Sequence, residues 1–328
     1  MQPLQLSSGD LVADRRASYA EMLLDAGDWA AAVDLMRETL SLVPQWTAGR
    51  FRLGEMLEKA GRIGEAVDAW REVVRLDPED RMGATLKLSL AGFADGIDAP
   101  PAGFVEALFD QYAPEFDGSL LEKLEYRVPE LLVSAIQRAE GRPFAHALDL
   151  GCGTGLMGER LARLASFLEG VDISANMLKR AEAKQIYGRL AKADLNLMEF
   201  PAGPDLVTAA DVFMYVGAMD AVLPRIAGSL STGGIFGFSV ELHAGEEDFV
   251  LRPSRRYAHS ESYLCRLLAA DGFDVVSLER AAIRTDRGEP VEGLIVVARK
   301  GLQPNEQLLH HALKPGPAGG LRNVGENR

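Results

Sequence analysis

From residue 145 onward, short apolar runs alternate with amphipathic stretches, as in a chain where strands alternate with helices. The apolar runs lie at residues 147–150, 168–173, 191–195, 204–211 and 233–241. This alternation predicts a parallel sheet with helices on both faces. A helix at 260–270 and a final pair of strands at 274–284 and 291–299 complete a predicted α/β domain.

The first quarter of the chain repeats itself with a period of 34 residues. Glu-Met-Leu at 21–23 returns at 55–57, and Ala-Val-Asp at 32–34 returns at 66–68. A proline ends each copy, where it stops a helix. The period and the small residues between the paired helices resemble the tetratricopeptide repeat. We therefore expect a small all-α unit at 17–91.

Composition predicts the remaining boundaries between segments, because glycine and proline cluster between the periodic segments. A helix is predicted at 104–112 and another from Pro129. The predicted segments are an N-terminal tail (1–16), two repeats with a capping helix (17–91), a linker (92–103), helices that precede the sheet (104–144), the α/β core (145–300) and a disordered tail (301–328).

A glycine-rich turn follows the first predicted strand, with Gly151, Gly153 and Gly155 placed two residues apart and Asp149 just before them. Glycines at such a turn let the backbone approach a ligand closely. A dinucleotide fingerprint needs a sixth-position glycine, where this chain has Leu156, and no Gly-Lys-Ser/Thr ends the turn as in a P-loop. The turn therefore predicts a small ligand that is bound neither through a dinucleotide fingerprint nor through a P-loop.

Two further acids end the next two predicted strands. Asp172 stands at the tip of the second strand, where a carboxylate can accept hydrogen bonds from a ribose diol. Asp194 ends the third strand and is placed to accept a bond from an adenine amino group. The three strand ends together predict a nucleoside-containing ligand.

This combination resembles the class I S-adenosylmethionine-dependent methyltransferases through residues 149–155, 171–174 and 193–195. The resemblance implies a Rossmann-like, seven-stranded sheet that binds S-adenosyl-L-methionine, with the glycine loop under the methionine part. A tight turn without a ligand and a different nucleotide cofactor are the alternatives. The cofactor-binding residues that we expect are Asp149, Gly151, Cys152, Gly153, Gly155, Asp172, Ile173, Met177, Asp194, Leu195, Asp211 and Tyr112.

Residues 109–117, before the first strand, read Phe-Asp-x-Tyr-Ala-x-x-Phe-Asp. This segment is similar to one that precedes the first strand in small-molecule methyltransferases of this type. The resemblance implies that this segment forms a lid, with Tyr112 and Phe116 over the cofactor. Their spacing is equally compatible with two aromatic residues of the core.

The methyl acceptor should lie over the carboxyl ends of the strands. His259 is the candidate general base, because the histidine pKa lies near neutrality, and Tyr257 beside it is a second candidate catalytic residue. The alternative is that His259 only caps the helix that begins near Ser260. Other candidates at this edge are Asp211, Tyr215, Glu241 and His243, and Arg252, Arg255 and Arg256 as residues that bind an anionic substrate or belong to a solvated loop.

Charge and cysteine content exclude several classes of function. The chain of 328 residues has a formal net charge of -13, which opposes the phosphate contacts that dominate nucleic-acid binding. Cys152 and Cys265 form neither a disulfide framework nor a metal-binding spacing. No apolar run is long enough for a membrane helix, and the N-terminus does not resemble a signal peptide. We expect a cytoplasmic protein without a metal, a membrane or a nucleic-acid partner.

The predicted function is methyl transfer to a small-molecule acceptor, at oxygen, nitrogen or carbon. One alternative is a protein methyltransferase whose repeats at 17–91 recruit the target. A second is a non-catalytic scaffold that only binds the cofactor. In each case the repeats are a candidate surface for a protein partner or for self-association.

Overall fold

The computed structural model describes residues 6–94, 96–118 and 124–301. The chain begins with a helical unit in which each helix packs against the next. Helix α1 already begins at Leu11, because the Asp10 side chain accepts hydrogen bonds from the first-turn amides of Val12 and Ala13. The expected tail over 1–16 is therefore wrong beyond residue 10. The helices of the unit are α1 (Leu11–Asp25), α2 (Trp29–Leu42), α3 (Thr47–Lys59), α4 (Ile63–Leu76) and α5 (Ala84–Leu90).

The 34-residue period is visible in the helix bounds, since α4 begins and ends 34 residues after α2. Gly27 and Gly61 follow α1 and α3 with φ of +83° and +73°, a conformation that favours glycine at a helix end. Gly54 of α3 lies so close to α4 that a Cβ there would be 2.2 Å from the Trp70 indole nitrogen. A small residue at this position lets the two helices approach.

Between this unit and the sheet, the described residues form three helices. Pro129 occupies the first turn of the third of them, as expected. That helix packs on the sheet through Ile136, against which a Cβ on Gly237 would lie at 2.9 Å. The helices are α6 (Ala102–Tyr112), α7 (Phe116–Gly118) and α8 (Val128–Ala139).

The sheet confirms the predicted α/β fold but not the predicted count of seven strands, because the described residues form nine. Strands run parallel in the order β3-β2-β1-β4-β5, and the β8–β9 hairpin joins antiparallel at β5. The two unpredicted strands, β6 and β7, form a hairpin that joins the end of β5. The strands are β1 (Phe144–Leu150), β2 (Ala165–Asp172), β3 (Arg189–Lys192), β4 (Leu206–Ala209), β5 (Ile235–Leu242), β6 (Phe249–Leu251), β7 (Tyr257–His259), β8 (Phe273–Asp286) and β9 (Glu289–Lys300).

Helices cover both faces, so the central strands are buried on both sides. Alternate residues of β5 show this: Phe236, Phe238 and Val240 belong to one core, and Ile235 belongs to the other. The Ser260 hydroxyl accepts from the Tyr263 amide and caps the helix after β7. The remaining helices are α9 (Leu156–Leu161), α10 (Ala175–Ala183), α11 (Leu223–Ser229) and α12 (Glu261–Ala270).

The helical unit packs directly against the α/β domain. Leu86 of α5 is buried with Phe104 and Val105 of α6, and Tyr215, in the 3-10 turn that follows β4, packs on this cluster. Within the described ranges, no helix is long and apolar enough to cross a membrane. The tail predicted at 301–328 lies outside the described residues, apart from Gly301.

Candidate functional site

A cavity of about 480 Å³ lies at the carboxyl ends of β1 to β4, beneath α6. Its volume is within the roughly 300–1,000 Å³ typical of small-molecule sites, and its position is where open α/β sheets bind ligands. The turns after these four strands line one side. Residues 254–256 and 284–286 line another part.

The glycine loop after β1 has the tight backbone that its sequence predicts. Gly151, Gly153 and Gly155 have φ of +60°, +54° and +90°. A Cβ on Gly151 would lie 2.6 Å from the Val212 side chain, whereas a Cβ on Gly153 would meet only Phe116, at 3.8 Å. Gly151 is therefore required for packing, and Gly153 leaves open space beside the cavity.

Asp149 supports this loop from beneath. Its carboxylate is 1% exposed and accepts hydrogen bonds from the Tyr187 hydroxyl at 2.7 Å and the Thr208 hydroxyl at 2.9 Å. Burial raises its pKa to about 7, against the effect of these two donors. Tyr187 also fills the space beside Gly158, where a Cβ would lie 2.1 Å from its hydroxyl. Asp149 thus fixes the loop and does not face the cavity.

Asp172 ties the second strand end to the glycine loop. Its two carboxylate oxygens accept from the amides of Gly153 and Ser174, each at 2.8 Å. Burial raises its pKa to about 6, and these two backbone donors oppose the rise. Asp172 lines the cavity, and each carboxylate oxygen retains a lone pair for a further donor. A ligand hydroxyl can therefore bind here.

The segment around α6 is fastened over the same edge. The Asp110 carboxylate accepts from the Ser174 hydroxyl at 2.5 Å and from the Asn176 amide at 3.2 Å. The Thr154 hydroxyl of the glycine loop donates to Asp117. Phe109 makes an edge-to-face contact with Tyr215, with ring centres 5.1 Å apart. These contacts hold α6 and α7 as one wall of the cavity.

A buried ion network forms part of another wall of the cavity. Arg284 of β8 is 4% exposed and pairs with Asp211 at 2.7 Å and with Glu241. Glu241 also pairs with Arg252 at 2.9 Å and with Arg256 at 2.8 Å. Burial raises the pKa of Asp211, although Arg284 opposes the rise. Each of these charges has an opposite partner, as burial requires.

Arg255 has a different environment. Its guanidinium donates to the main-chain oxygen of Met82 at 2.9 Å and lies over the Phe104 ring, 4.8 Å from the ring centre. Burial lowers its pKa. Glu55 and Asp80 oppose this lowering, but no described carboxylate lies within ion-pair distance of Arg255, which lines the cavity.

The structure corrects the catalytic expectation for His259 and Tyr257. His259 is fully buried on β7, its Nε2 lies 2.6 Å from the Gly217 oxygen, and burial lowers its pKa to about 4. The Tyr257 hydroxyl donates to the Ile97 oxygen. Neither lines the cavity, because β7 joins the sheet and turns both inward. The cap of α12 is Ser260, so the capping alternative for His259 is also wrong.

Most of the expected cofactor residues come together at the cavity, but three do not. Asp149 lies beneath the loop, Gly155 is the N-cap of α9 and Met177 is buried in α10. Of the other acceptor candidates, Tyr215 lines the cavity, whereas Glu241 and His243 do not. The expected cofactor residues that line it are Gly151, Cys152, Gly153, Asp172, Ile173, Asp194, Leu195, Asp211 and Tyr112.

Several residues that line or support the cavity were not predicted from the sequence, and three of them are central to the site. Tyr126 and Arg284 line the cavity from segments distant in sequence, and Tyr187 supports the glycine loop. No spacing rule connects them to the loop, since only the folded sheet brings them close. Within the described part of the chain, no three His, Cys, Asp or Glu side chains are grouped to hold a metal ion.

A family comparison covers the strands that build this cavity. Residues 147–234 match the model of the family described as "Methyltransferase domain". This segment is similar to methyltransferase domains. The match spans β1 to β4 and includes the glycine loop and Asp172. It confirms the class of domain that the three strand-end motifs predict.

Two named proteins are similar in sequence to part of this chain. Human methyltransferase-like protein 27 is 37% identical over 131 residues, which are 39% of this chain and 47% of that protein. Trans-aconitate 2-methyltransferase from Pseudomonas paraeruginosa (strain DSM 24068 / PA7) is 42% identical over 90 residues, 26% of this chain and 32% of that protein. The chain thus spans about a third to a half of the length of these relatives.

A solved structure shows the same fold. N-methyltransferase NodS from Bradyrhizobium japonicum WM9, in complex with S-adenosyl-l-homocysteine, superposes with a TM-score of 0.50 at 17% identity. The superposition covers 60% of this chain and 98% of that chain. The α/β domain therefore has the fold of this solved methyltransferase.

Proposed function

We propose that this protein transfers a methyl group from S-adenosyl-L-methionine to a small-molecule acceptor. The observation that carries the proposal is the position of Asp172. Its carboxylate is bonded to the Gly153 amide at 2.8 Å and borders a cavity at the strand ends of a methyltransferase domain. A partly enclosed cavity suits a small acceptor better than a protein segment.

The residues present fit this cofactor. The open space beside Gly153 accommodates the methionine part, and Asp172 accepts bonds from the ribose hydroxyls. Asp194 and Leu195 border the cavity beyond β3, where we place the adenine ring. Tyr112, half exposed at the cavity rim, is the proposed lid residue.

When bound, the cofactor supplies a methyl group on a positively charged sulfur, which makes it a reactive electrophile. The protein must hold an acceptor atom in line with that methyl group, and positioning alone can supply a large part of the rate. We assign this task to Tyr126, Tyr215 and Arg284, which line the cavity.

None of these groups is suited to remove a proton at neutral pH. Burial raises the pKa of Tyr126 and of Tyr215, so both phenols stay protonated and can only donate or accept hydrogen bonds. Asp211 is engaged by Arg284 at 2.7 Å. Among the described lining residues there is no histidine. The proposed acceptor therefore arrives with an available lone pair.

We also propose that the helical unit is a pair of tetratricopeptide repeats that bind a protein partner or a second copy of the chain. The offset of 34 residues between α2 and α4 and the small residue Gly54 between α3 and α4 support this assignment. The proposed compartment is the cytoplasm, since Cys152 and Cys265 are both free.

The test is turnover of the cofactor. The protein is incubated with S-adenosyl-L-methionine and a small-molecule bacterial extract, and S-adenosyl-L-homocysteine is measured by mass spectrometry. We expect formation that depends on the extract and is lost in Asp172→Ala but not in Asp68→Ala, which changes an exposed residue of α4. No extract-dependent product with the wild-type protein would contradict the proposal.

A further inference from the structure

The cavity is lined by three arginines, Arg255, Arg256 and Arg284. Two of them are neutralised by protein carboxylates: Arg284 by Asp211, and Arg256 by Asp286 at 2.6 Å. Arg255 is the exception among the described residues that line the cavity. Glu55 and Asp80 act on its charge only from beyond ion-pair distance. The cavity therefore contains one cationic group that no described carboxylate pairs with directly.

The Arg255 guanidinium is held in place without a carboxylate. Its Nη1 donates to the Met82 oxygen at 2.9 Å, and the rings of Phe104 and Phe51 lie 4.8 Å and 5.7 Å from its central carbon. Arg255 itself adopts a φ of +62°, which few non-glycine residues tolerate. A strained backbone and three contacts from other segments fix this side chain at the cavity.

Burial of this guanidinium costs free energy unless a bound anionic ligand offsets that cost. A partly buried guanidinium without an anion loses hydration, and aromatic rings replace only part of it. Among the described residues, Nη1 donates to the Met82 oxygen, so Nε and Nη2 remain for a planar oxyanion. An Arg fork matches a carboxylate with two parallel hydrogen bonds.

We propose that Arg255 binds a carboxylate group of the methyl acceptor, so that the acceptor is an organic acid. This inference rests on the proposed function, because it names the substrate class for the same cavity. The protein as a whole repels anions, with a net charge of -13, so a local cation is needed to select one.

The same contacts make the helical unit part of the acceptor site. Phe51 lies on α3, and Met82 lies just before α5, yet both contact the Arg255 guanidinium at the cavity. Phe51 is therefore a positioning residue, which acts through Arg255. Its replacement by Leu should weaken acceptor use and leave cofactor binding unchanged.

The experiment uses the full chain, S-adenosyl-L-methionine labelled with tritium in the methyl group, and a bacterial extract separated by ion exchange into anionic, neutral and cationic pools. We expect label in the anionic pool. Arg255→Met should reduce its transfer at least about tenfold through a higher KM, and Arg255→Lys should retain part of it. The control Arg71→Met, at a half-exposed site on α4, should match the wild-type protein.

Calorimetric titration with S-adenosyl-L-homocysteine separates this inference from the proposed function. If the wild-type protein does not bind this compound, or binds it and labels no pool, the proposed function fails. If it binds the compound but labels the neutral or cationic pool, the carboxylate inference fails. The inference also fails if Arg255→Met binds the compound normally and labels the anionic pool at the wild-type rate.

Discussion

The buried carboxylate beneath the glycine loop should destabilise the fold at neutral pH. Asp149 accepts hydrogen bonds from Tyr187 and Thr208, and burial raises its pKa from 3.8 to about 7. Asp149→Asn keeps the shape and removes the charge. Because hydroxyl groups can also accept, Tyr187 and Thr208 can both bond to the amide. We expect the variant to be more stable than the wild-type protein above pH 7.

The magnitude follows from linkage between proton binding and folding. Below about pH 4, Asp149 is protonated in both states, and its contribution is fully present. As the pH rises towards 7, the unfolded chain releases the proton and the folded protein retains it, so stability is lost. A shift of about three pH units at about 1.4 kcal/mol each gives a ceiling of about 4 kcal/mol. We expect on the order of 2 kcal/mol, since buried sites relax.

The assay is urea unfolding of both proteins between pH 4 and pH 8, followed by circular dichroism. The free energy of unfolding of the variant minus that of the wild-type protein should rise between pH 4 and 7 and level off above. Asp68→Asn, whose side chain is 77% exposed, is the control and should give a flat difference. A flat difference for Asp149→Asn, or a wild-type protein that is the more stable at pH 8, would refute the reasoning.

Three further predictions concern the same cavity. Asp172→Ala removes the acceptor for the Gly153 and Ser174 amides and should weaken S-adenosyl-L-homocysteine binding about 10- to 100-fold by calorimetry; unchanged affinity would exclude the ribose assignment. Gly151→Ala should lower the free energy of unfolding by about 1 kcal/mol or more, because its φ is +60° and its Cβ would meet a side chain at 2.6 Å; equal denaturation midpoints would contradict this. The rate of methyl transfer should show no ionisation of His259 between pH 6 and 8, since its pKa is lowered to about 4; an inflection near pH 6.5 that His259→Gln removes would contradict this.

Local sequence was sufficient to predict the parts of the site that a single turn creates. Gly151, Gly153 and Asp172 are each placed by their position at a strand end, and the register of parallel strands brings those ends together. The 34-residue period likewise predicts where α2 and α4 lie, because helix bounds follow local periodicity.

The rest depends on contacts between distant segments. His259 is a plausible base by residue type, but the pairing of β7 with β5 buries it. The three residues 257–259 have no sequence pattern that predicts a strand. Arg284 meets Asp211 across 73 residues, and Arg255 meets Met82 across 173. Such pairs are fixed by the packing of the sheet and the helical unit, which periodicity does not encode.

The central claim is that the cavity beside Asp172 binds the methyl donor. The most direct measurement is calorimetric titration of the full chain with S-adenosyl-L-methionine and, separately, with NAD. We expect saturable 1:1 binding of S-adenosyl-L-methionine that is weakened in Asp172→Ala, and no binding of NAD. Binding of NAD without binding of S-adenosyl-L-methionine would contradict it.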